Sequence, residues 1–309
     1  MEVIHISAPA TVANVSCGFD AMAFALDVPG DEIKVSKNNS GHVTISRIEG
    51  AILPFDVDKN AAGTVAVEML KDSGAEFGVD IQIVKKQKPG SGLGSSAASS
   101  AGIAVALNHF LGDKYSKIDL VRFAMLGEET ACGAQIADNV SAAIFGGFVL
   151  VRSYSPLDII PLPVPGLLYA CLLHPQIEVR TEDARNVLPE SVPLKSAITQ
   201  WANVGGLVSG LHTDDYELIG RSVKDVIAEP ARKQFIPFFD QLQEETLKNG
   251  ALAFGISGSG PTVFSLSKGE ENAKKVAASM YNVYEESNID FNISVSKINQ
   301  SGATIITQL

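Results

Sequence analysis

The chain has 309 residues, 46% hydrophobic and 19% charged, with a formal net charge of −11 at pH 7; that balance belongs to ordinary globular proteins and excludes a disordered polymer. The acidic excess argues against nucleic acid or an anionic membrane as a partner, and no segment reaches the roughly 18 unbroken apolar residues of a membrane span. Its length predicts two domains of about 150 residues each.

Met1-Glu2-Val3-Ile4-His5 opens as a strand-like alternation and not as a signal peptide. Cys17, Cys132 and Cys171 are widely spaced and form no CxxC pair, which suits a reducing compartment, so a cytoplasmic location is expected. Cys132 and Cys171 read as buried small hydrophobes. Val3 to Ser7 is the first strand, followed by Ala8-Pro9-Ala10 and an apolar stretch through Asp27. Alternation near Glu32-Ile33-Lys34-Val35 and Val43-Thr44-Ile45 predicts two more strands. Asn60 through Asp72 is a helix with Asn60 as N-cap and Gly74 as its stop. Val79 to Val84 alternates with period two, and a helix from Ser95 to about Leu111 follows, ended by Gly112. Ser116 caps a further helix to about Glu129, with Asp119 three residues on. Asp138-Asn139 then leads through Ile144-Phe145-Gly146-Gly147 into a strand at Phe148 to Val151.

Ser153-Tyr154-Ser155-Pro156 reads as a boundary, dividing the chain into domains 1–155 and 156–309. The second half begins with a strand from Leu167 to Leu173. Thr181 caps a short helix containing Arg185, and longer helical patterns cover Leu194 to Leu211 and Asp215 to Ala228, where Pro230 breaks the latter. Pro237 starts another helix that Gly250 closes. Strands at Ala253 to Ser257 and Thr262 to Leu266 flank Gly258-Ser259-Gly260-Pro261, and a helix from about Glu270 to Asn288 precedes strands near Phe291 to Val295 and Ala303 to Ile306.

The stretch Pro89-Gly90-Ser91-Gly92-Leu93-Gly94-Ser95-Ser96-Ala97 joins a strand to a helix start with no bulky side chain near the turn. Glycines let the backbone approach a ligand closely. The free N–H groups and partial positive charge of the helix start then face any bound anion, as a phosphate cradle requires. The loop is not of the Walker type, because no lysine follows its last glycine, and it lacks the dinucleotide spacing. In so acidic a protein a phosphate site needs backbone dipoles, a few local cations and a metal; magnesium would supply that charge.

The order Pro89-x-x-Gly92-Leu93-Gly94-Ser95-Ser96-Ala97 resembles the second motif of the GHMP small-molecule kinases. Two further stretches fit the same family: Pro9-Ala10-Thr11-Val12-Ala13-Asn14-Val15-Ser16-Cys17-Gly18-Phe19-Asp20, and Gly255-Ile256-Ser257-Gly258-Ser259-Gly260-Pro261. Within it, the N-terminal stretch, Ala137-Asp138-Asn139-Val140 with Phe145-Gly146-Gly147, and Thr181-Glu182-Asp183-Ala184-Arg185 look most like the homoserine kinases. The resemblance implies a two-domain α+β GHMP kinase fold, with an N-terminal domain like that of a small ribosomal protein and a C-terminal ferredoxin-like domain. It implies ATP and Mg²⁺ as cofactors, the phosphates resting on residues 89 to 97. Ser96, with Ser95 as alternative, would hold the ion together with Glu128. It also implies a homodimer.

Homoserine is a zwitterion with a hydroxyl, so its site needs cations for the carboxylate, an anion for the ammonium and a polar group beside the hydroxyl. The resemblance assigns Arg185 and Arg232 to the carboxylate, Asp20 to the ammonium and Asn14 to the hydroxyl, where Asn14 is the catalytic candidate. Asp138, Asn139 and Thr181 would line the same cavity. Where homoserine kinases commonly show His two residues before the Asp-Asn pair, this chain has Ile136 preceded by Gln135. The histidines lie outside the motifs, and none is a persuasive general base. A mevalonate-type hydroxy-acid kinase is the alternative function; its substrate carries no ammonium, so Asp20 separates the two. A catalytically silent nucleotide sensor on the same fold is a third reading, against which Ser96 and Glu128 speak.

Overall fold

Residues 2–28 and 30–308 are described by the computed structural model, apart from the side chains of Thr181 and Gln308. The first half runs β1 (Val3–Ala8), β2 (Thr11–Ala13), β3 (Met22–Ala25), β4 (Asp31–Asn38), β5 (Val43–Glu49), α1 (Ala61–Ser73), β6 (Gly78–Val84), α2 (Ser95–Phe110), α3 (Lys117–Cys132), α4 (Asp138–Phe145), β7 (Phe148–Tyr154) and β8 (Leu157–Leu162). The second half runs β9 (Leu168–Pro175), α5 (Thr181–Asn186), α6 (Leu194–Thr213), α7 (Tyr216–Ser222), α8 (Glu229–Arg232), α9 (Phe239–Lys248), β10 (Ala253–Ile256), β11 (Val263–Lys268), α10 (Glu270–Tyr284), β12 (Phe291–Lys297) and β13 (Thr304–Gln308).

Helices and sheets are mixed as expected. One five-stranded sheet has the order β13-β1-β4-β6-β5. Among the described residues its one parallel pair, β5 with β6, brackets α1 and so forms a βαβ unit. Ile4, Ile6 and Ala8 of β1 point inward in strict alternation, and together with Ile33, Val35, Ile81 and Ile83 they meet α1, α2 and α3 in one core. The small residues of α2 let it pack close: a Cβ on Gly102 would lie 2.5 Å from Ile33 Cδ1. Helix ends follow local chemistry. Asn60 accepts from the N–H groups of Ala62 and Gly63, Gly74 ends α1 in the left-handed region, and Ser116 with Asp119 forms a capping box on α3.

A second sheet, β2-β3-β7-β8, runs beside a third, β10-β11-β9-β12, which is antiparallel throughout. One core joins them: Val12, Met22, Phe24 and Phe148 from the first half pack with Leu172, Leu207 and Phe264 from the second. α9 and α10 cover the other face of the third sheet. Position 155/156, where the sequence points to a boundary, is the turn of the β7–β8 hairpin, and β13 returns to pair with β1. Among the described residues no helix is long and apolar enough to cross a membrane.

Five local expectations are corrected. Residues 138–145 form a helix, α4, where the sequence reads as a connection. Arg180 occupies the N-cap position of α5, so Thr181 begins the helix and does not cap it. α7 stops at Ser222, well before Ala228, because the Asp225 carboxylate accepts from the N–H groups of Ile227, Ala228 and Glu229 and turns the chain. Pro230 accordingly sits in the first turn of α8 instead of ending a helix. Cys132 is exposed, unlike the buried Cys171, because it sits at the last residue of α3.

Candidate active site

A cavity of about 430 Å³ opens where the three glycine-bearing stretches meet. The loop after β6 is fastened to the β10–β11 hairpin. Ser257 donates its hydroxyl to the Gly92 carbonyl at 2.6 Å, and Thr262 donates its own to the Ser91 carbonyl at 2.6 Å. On the other side the Thr11 N–H donates to the Leu93 carbonyl at 3.2 Å. Close approach requires glycine at two positions: with φ of +80° and +63°, a Cβ on Gly92 would lie 2.6 Å from the Ser257 carbonyl oxygen and one on Gly94 would lie 2.0 Å from Thr11 Oγ1. Gly94 is the N-cap of α2 and offers no side chain to the first turn, which leaves that turn's N–H groups directed at the cavity. Pro89, Gly90, Ser91, Gly92, Gly94, Ser95 and Ser96 line it. Leu93 and Ala97, also expected to bind ATP, have buried side chains and are not among the lining residues.

The two serines differ. Ser95 donates its hydroxyl to the Gln87 carbonyl at 2.7 Å, whereas Ser96 hydrogen-bonds to Glu128. Glu128 is buried and its Oε1 has no partner. Burial pushes its carboxyl up to about 7, with nearby Asp138 adding to the rise, while the Ser96 bond and Lys85 oppose it. An orphaned carboxylate oxygen beside a serine hydroxyl is a hard-oxygen donor set that fits Mg²⁺. Among the described residues no three His, Cys, Asp or Glu side chains cluster, so such an ion would draw its other ligands from phosphate and water.

Asn14, Val15 and Ser16 follow one another at φ of 70°, 43° and 54°. For a β-branched residue such as Val15 the left-handed region is strained, by about 1–3 kcal/mol, and such strain clusters at functional sites. The turn is held by Asn14, whose Nδ2 donates to the Gly258 carbonyl at 2.9 Å while its Oδ1 accepts from the Asp20 N–H at 3.0 Å. Asp20 and Arg185 pair with each other across the cavity at 3.2 and 3.4 Å. Arg232 is buried, lies 4.8 Å from the Phe19 ring centre, and donates to the carbonyls of Ala184 and Gly258 at 2.9 and 3.0 Å. Asp138 and Asn139 stand at the start of α4. Asp138 accepts from the Asn139 N–H at 2.6 Å, and Asn139 Oδ1 accepts from the Thr11 hydroxyl at 2.6 Å. Burial first, then the charge of Asp20, pushes the Asp138 carboxyl up to about 7. The cavity thus gathers Asn14, Asp20, Glu128, Asp138, Asn139, Arg185 and Arg232. Thr181 lies outside the described side chains. Ile136 faces the cavity, and Gln135 instead donates to Glu129 at 2.7 Å.

The sequence reading missed Lys85. Its buried ammonium is bonded to Asp31, to the Ser95 carbonyl at 2.5 Å and to the Ser99 hydroxyl at 2.9 Å, directly beneath the start of α2. Burial pulls its pKa down and Asp31 opposes the shift. Next to Lys86 it reads as half of a solvated pair, and the only signal available was its place at the end of an alternating strand. Leu53, Pro54, Asn60 and Thr130 were likewise missed; they line the cavity together with the glycine loop.

The chain matches the GHMP kinases N terminal domain over residues 60–147 and the GHMP kinases C terminal domain over residues 207–286. It is 42% identical to "Homoserine kinase" of Chlorobium phaeobacteroides, covering 99% of this chain and 100% of that one. The chain belongs to the homoserine kinases of the GHMP family. A crystal structure of homoserine kinase from Cytophaga hutchinsonii superposes on this kinase with a TM-score of 0.95 at 49% identity, covering 98% of this chain and 97% of that one. The L. major mevalonate kinase crystallised with R-mevalonate gives a TM-score of 0.71 at 15% identity, over 94% and 95% of the two chains, which speaks for the shared fold alone. The two-domain mixed fold and the ATP-dependent kinase class expected from the three motifs therefore stand.

Proposed function

We propose that this kinase transfers the γ-phosphate of ATP to the hydroxyl of L-homoserine, giving O-phosphohomoserine, a step of threonine biosynthesis. The observation that carries the reading is the Asp20–Arg185 ion pair lying in one cavity with the glycine loop. A zwitterion can open that pair and replace both of its bonds, its ammonium going to Asp20 and its carboxylate to Arg185. Arg232, preoriented by two carbonyls and the Phe19 ring, supports the carboxylate through its other N–H donors. A hydroxy acid could satisfy only the arginines and would leave Asp20 unpaired, which disfavours the mevalonate-type alternative.

The ATP phosphates rest on Gly90 to Gly94 and on the open N–H groups of α2. Asn14, locked on both sides of its amide, aligns the hydroxyl oxygen with phosphorus. As that oxygen bonds to the γ-phosphorus and the bond to ADP breaks, the hydroxyl proton passes to Asp138, whose carboxyl at about 7 is matched to accept it. A loose transition state demands alignment and charge neutralisation more than a strong base. Ser96 and Glu128 would hold Mg²⁺, which supplies positive charge to the phosphate oxygens when bound. The free thiols of Cys17, Cys132 and Cys171 support a cytoplasmic enzyme. A homodimer belongs to the same reading.

ADP release measured with homoserine, mevalonate, shikimate and galactose tests the assignment. Turnover with homoserine at least 100-fold above the others is expected; equal or higher turnover with a substrate lacking an amine refutes it.

A further inference from the structure

We propose that Glu229 is a positioning residue for the phosphoryl transfer: by pairing with the Ser16 hydroxyl it holds the turn at Asn14 in register with α8, and so fixes Asn14 relative to Arg232. The proposal rests on the homoserine reading above, in which those two residues align the hydroxyl and grip the carboxylate.

The turn 14–17 and the segment 225–232 are bridged at two levels. At one, the Gly258 carbonyl accepts from Asn14 Nδ2 at 2.9 Å and from Arg232 at 3.0 Å. At the other, Gln200 Nε2 donates to the Cys17 carbonyl and to the Asp225 carboxylate, both at 3.0 Å. Ser16 and Glu229 lie between these levels, each in its own segment. Ser16 Oγ and Glu229 Oε2 are buried and have no hydrogen-bond partner, although buried polar atoms are nearly always paired. They converge on one spot: a Cβ on Gly255 would lie 2.0 Å from Ser16 Oγ and 3.4 Å from Glu229 Oε2. The bare Cα of that glycine leaves the two side chains room to turn toward each other.

A single shared carbonyl is a pivot, about which the turn can rotate; a second tie close to it removes that freedom. The turn needs such restraint, because three successive residues at positive φ, Asn14 to Ser16, persist only where the surroundings over-determine them. Glu229 is already held on its other sides. Its N–H donates to Asp225 at 2.9 Å, and its Oε1 accepts from Gln243 of α9 at 3.4 Å, which leaves Oε2 to reach Ser16. Burial first, and then the Asp225 carboxylate, pushes its carboxyl up to about 7, against the Gln243 bond and the charges of Lys233 and Lys224. Near neutral pH the carboxyl therefore keeps a proton that the Ser16 oxygen can accept. Neither Ser16 nor Glu229 lines the cavity, so the pair acts on the substrate only through Asn14 and Arg232.

Initial rates with homoserine and ATP, and thermal melts, are compared for the full chain and four variants. Glu229→Leu should raise the KM for homoserine about tenfold and lower kcat by about the same factor, the effect of orphaning one buried hydroxyl, with the KM for ATP unchanged. Ser16→Ala should do the same. Glu229→Gln can still donate to Ser16 and should stay within about threefold of the unaltered chain. Ser16→Ala combined with Glu229→Leu should be no worse than either alone, as two residues acting through one contact require. Losses that multiply to about a hundredfold in the double variant overturn the pairing. A Glu229→Leu protein that melts lower yet keeps its kcat and KM for homoserine, or whose KM for ATP rises equally, overturns the positioning role, as does a Glu229→Gln protein as impaired as the leucine one. Should Glu229→Leu fail to fold, Ser16→Ala decides by the same kinetic split. Each of these failures leaves the homoserine reading standing, because the unaltered chain still turns homoserine over; absence of that turnover overturns the reading and this proposal together.

Discussion

Lys85→Met is the most searching perturbation of the site, because the ammonium it removes holds Asp31, the Ser95 carbonyl and the Ser99 hydroxyl at once. Asp31 keeps two bonds, from the Lys86 N–H at 3.1 Å and the Ser99 hydroxyl at 3.3 Å, but loses its counter-charge in a fully buried setting. Breaking one side of such a pair costs about 3–5 kcal/mol, whereas neutralising both partners is close to neutral. At about 2–4 °C per kcal/mol for a chain of this size, the single variant should melt about 6–20 °C lower. Lys85→Met with Asp31→Asn should recover most of that loss. Nucleotide binding should respond differently. Both variants free the Ser95 carbonyl at the first turn of α2, so both should raise the KM for ATP several-fold and leave the KM for homoserine nearly unchanged. Thermal melts and initial rates on the three proteins separate the two effects. A melting loss under about 2 °C in the single variant, or a double variant no better than the single, would refute the buried-pair argument. An unchanged KM for ATP in the double variant would refute the positioning role.

Asn14→Ala removes a preoriented polar group and should lower kcat about 100-fold, or about 3 kcal/mol, with little change in the KM for ATP; equal losses in both would contradict hydroxyl alignment. Asp20→Asn should raise the KM for homoserine far more than that for ATP, as measured by initial rates. Gly92→Ala adds left-handed strain to a clash with two backbone carbonyls at 2.6 and 2.8 Å, a loss of about 2–4 kcal/mol. Gly90→Ala meets nothing nearer than 3.9 Å and should cost about 1 kcal/mol from strain alone; urea melts rank the two. Burial lifts the carboxyls of Asp138, ordinarily at 3.8, and Glu229, ordinarily at 4.5, to about 7. Between about pH 4 and 7 the folded chain thus holds protons that the unfolded chain has released, so stability of the ligand-free protein should fall as pH rises through that window. Asp138→Asn should flatten the slope in melts taken across it.

Signals confined to a few neighbouring residues were legible in the sequence. Asn60 and Gly74 bound α1 because one side-chain oxygen and one left-handed residue suffice to do so. The loop between β6 and α2 was legible because its glycines serve close approaches at fixed positions. The cavity residues Asn14, Asp20, Glu128, Asp138, Arg185 and Arg232 were reached through motif resemblance, and the structure brings them together. The buried ion pair was missed because its partners lie far apart along the chain. Lys85 and Asp31 are 54 positions apart, and nothing in either neighbourhood announces a buried charge. The early end of α7 comes from Asp225, whose carboxylate offers the following N–H groups a better partner than a continuing helix would.

The left-handed turn at Asn14, Val15 and Ser16 shows why resemblance located a residue without explaining it. No propensity places a valine at φ of 43°. The conformation persists because both ends are tied to something else: the Gly258 N–H donates to the Ala13 carbonyl at 3.2 Å, and the Asn14 amide spans Gly258 and Asp20. Gly258 in turn receives Arg232 on the same carbonyl. One backbone unit from the second half therefore fixes both the group proposed to align the hydroxyl and a guanidinium proposed to grip the carboxylate. The distance between the reacting and anchoring ends of a small substrate is set by that shared carbonyl and not by either side chain alone. If the proposed roles hold, moving either contact disturbs the other, because Asn14 and Arg232 share the Gly258 carbonyl.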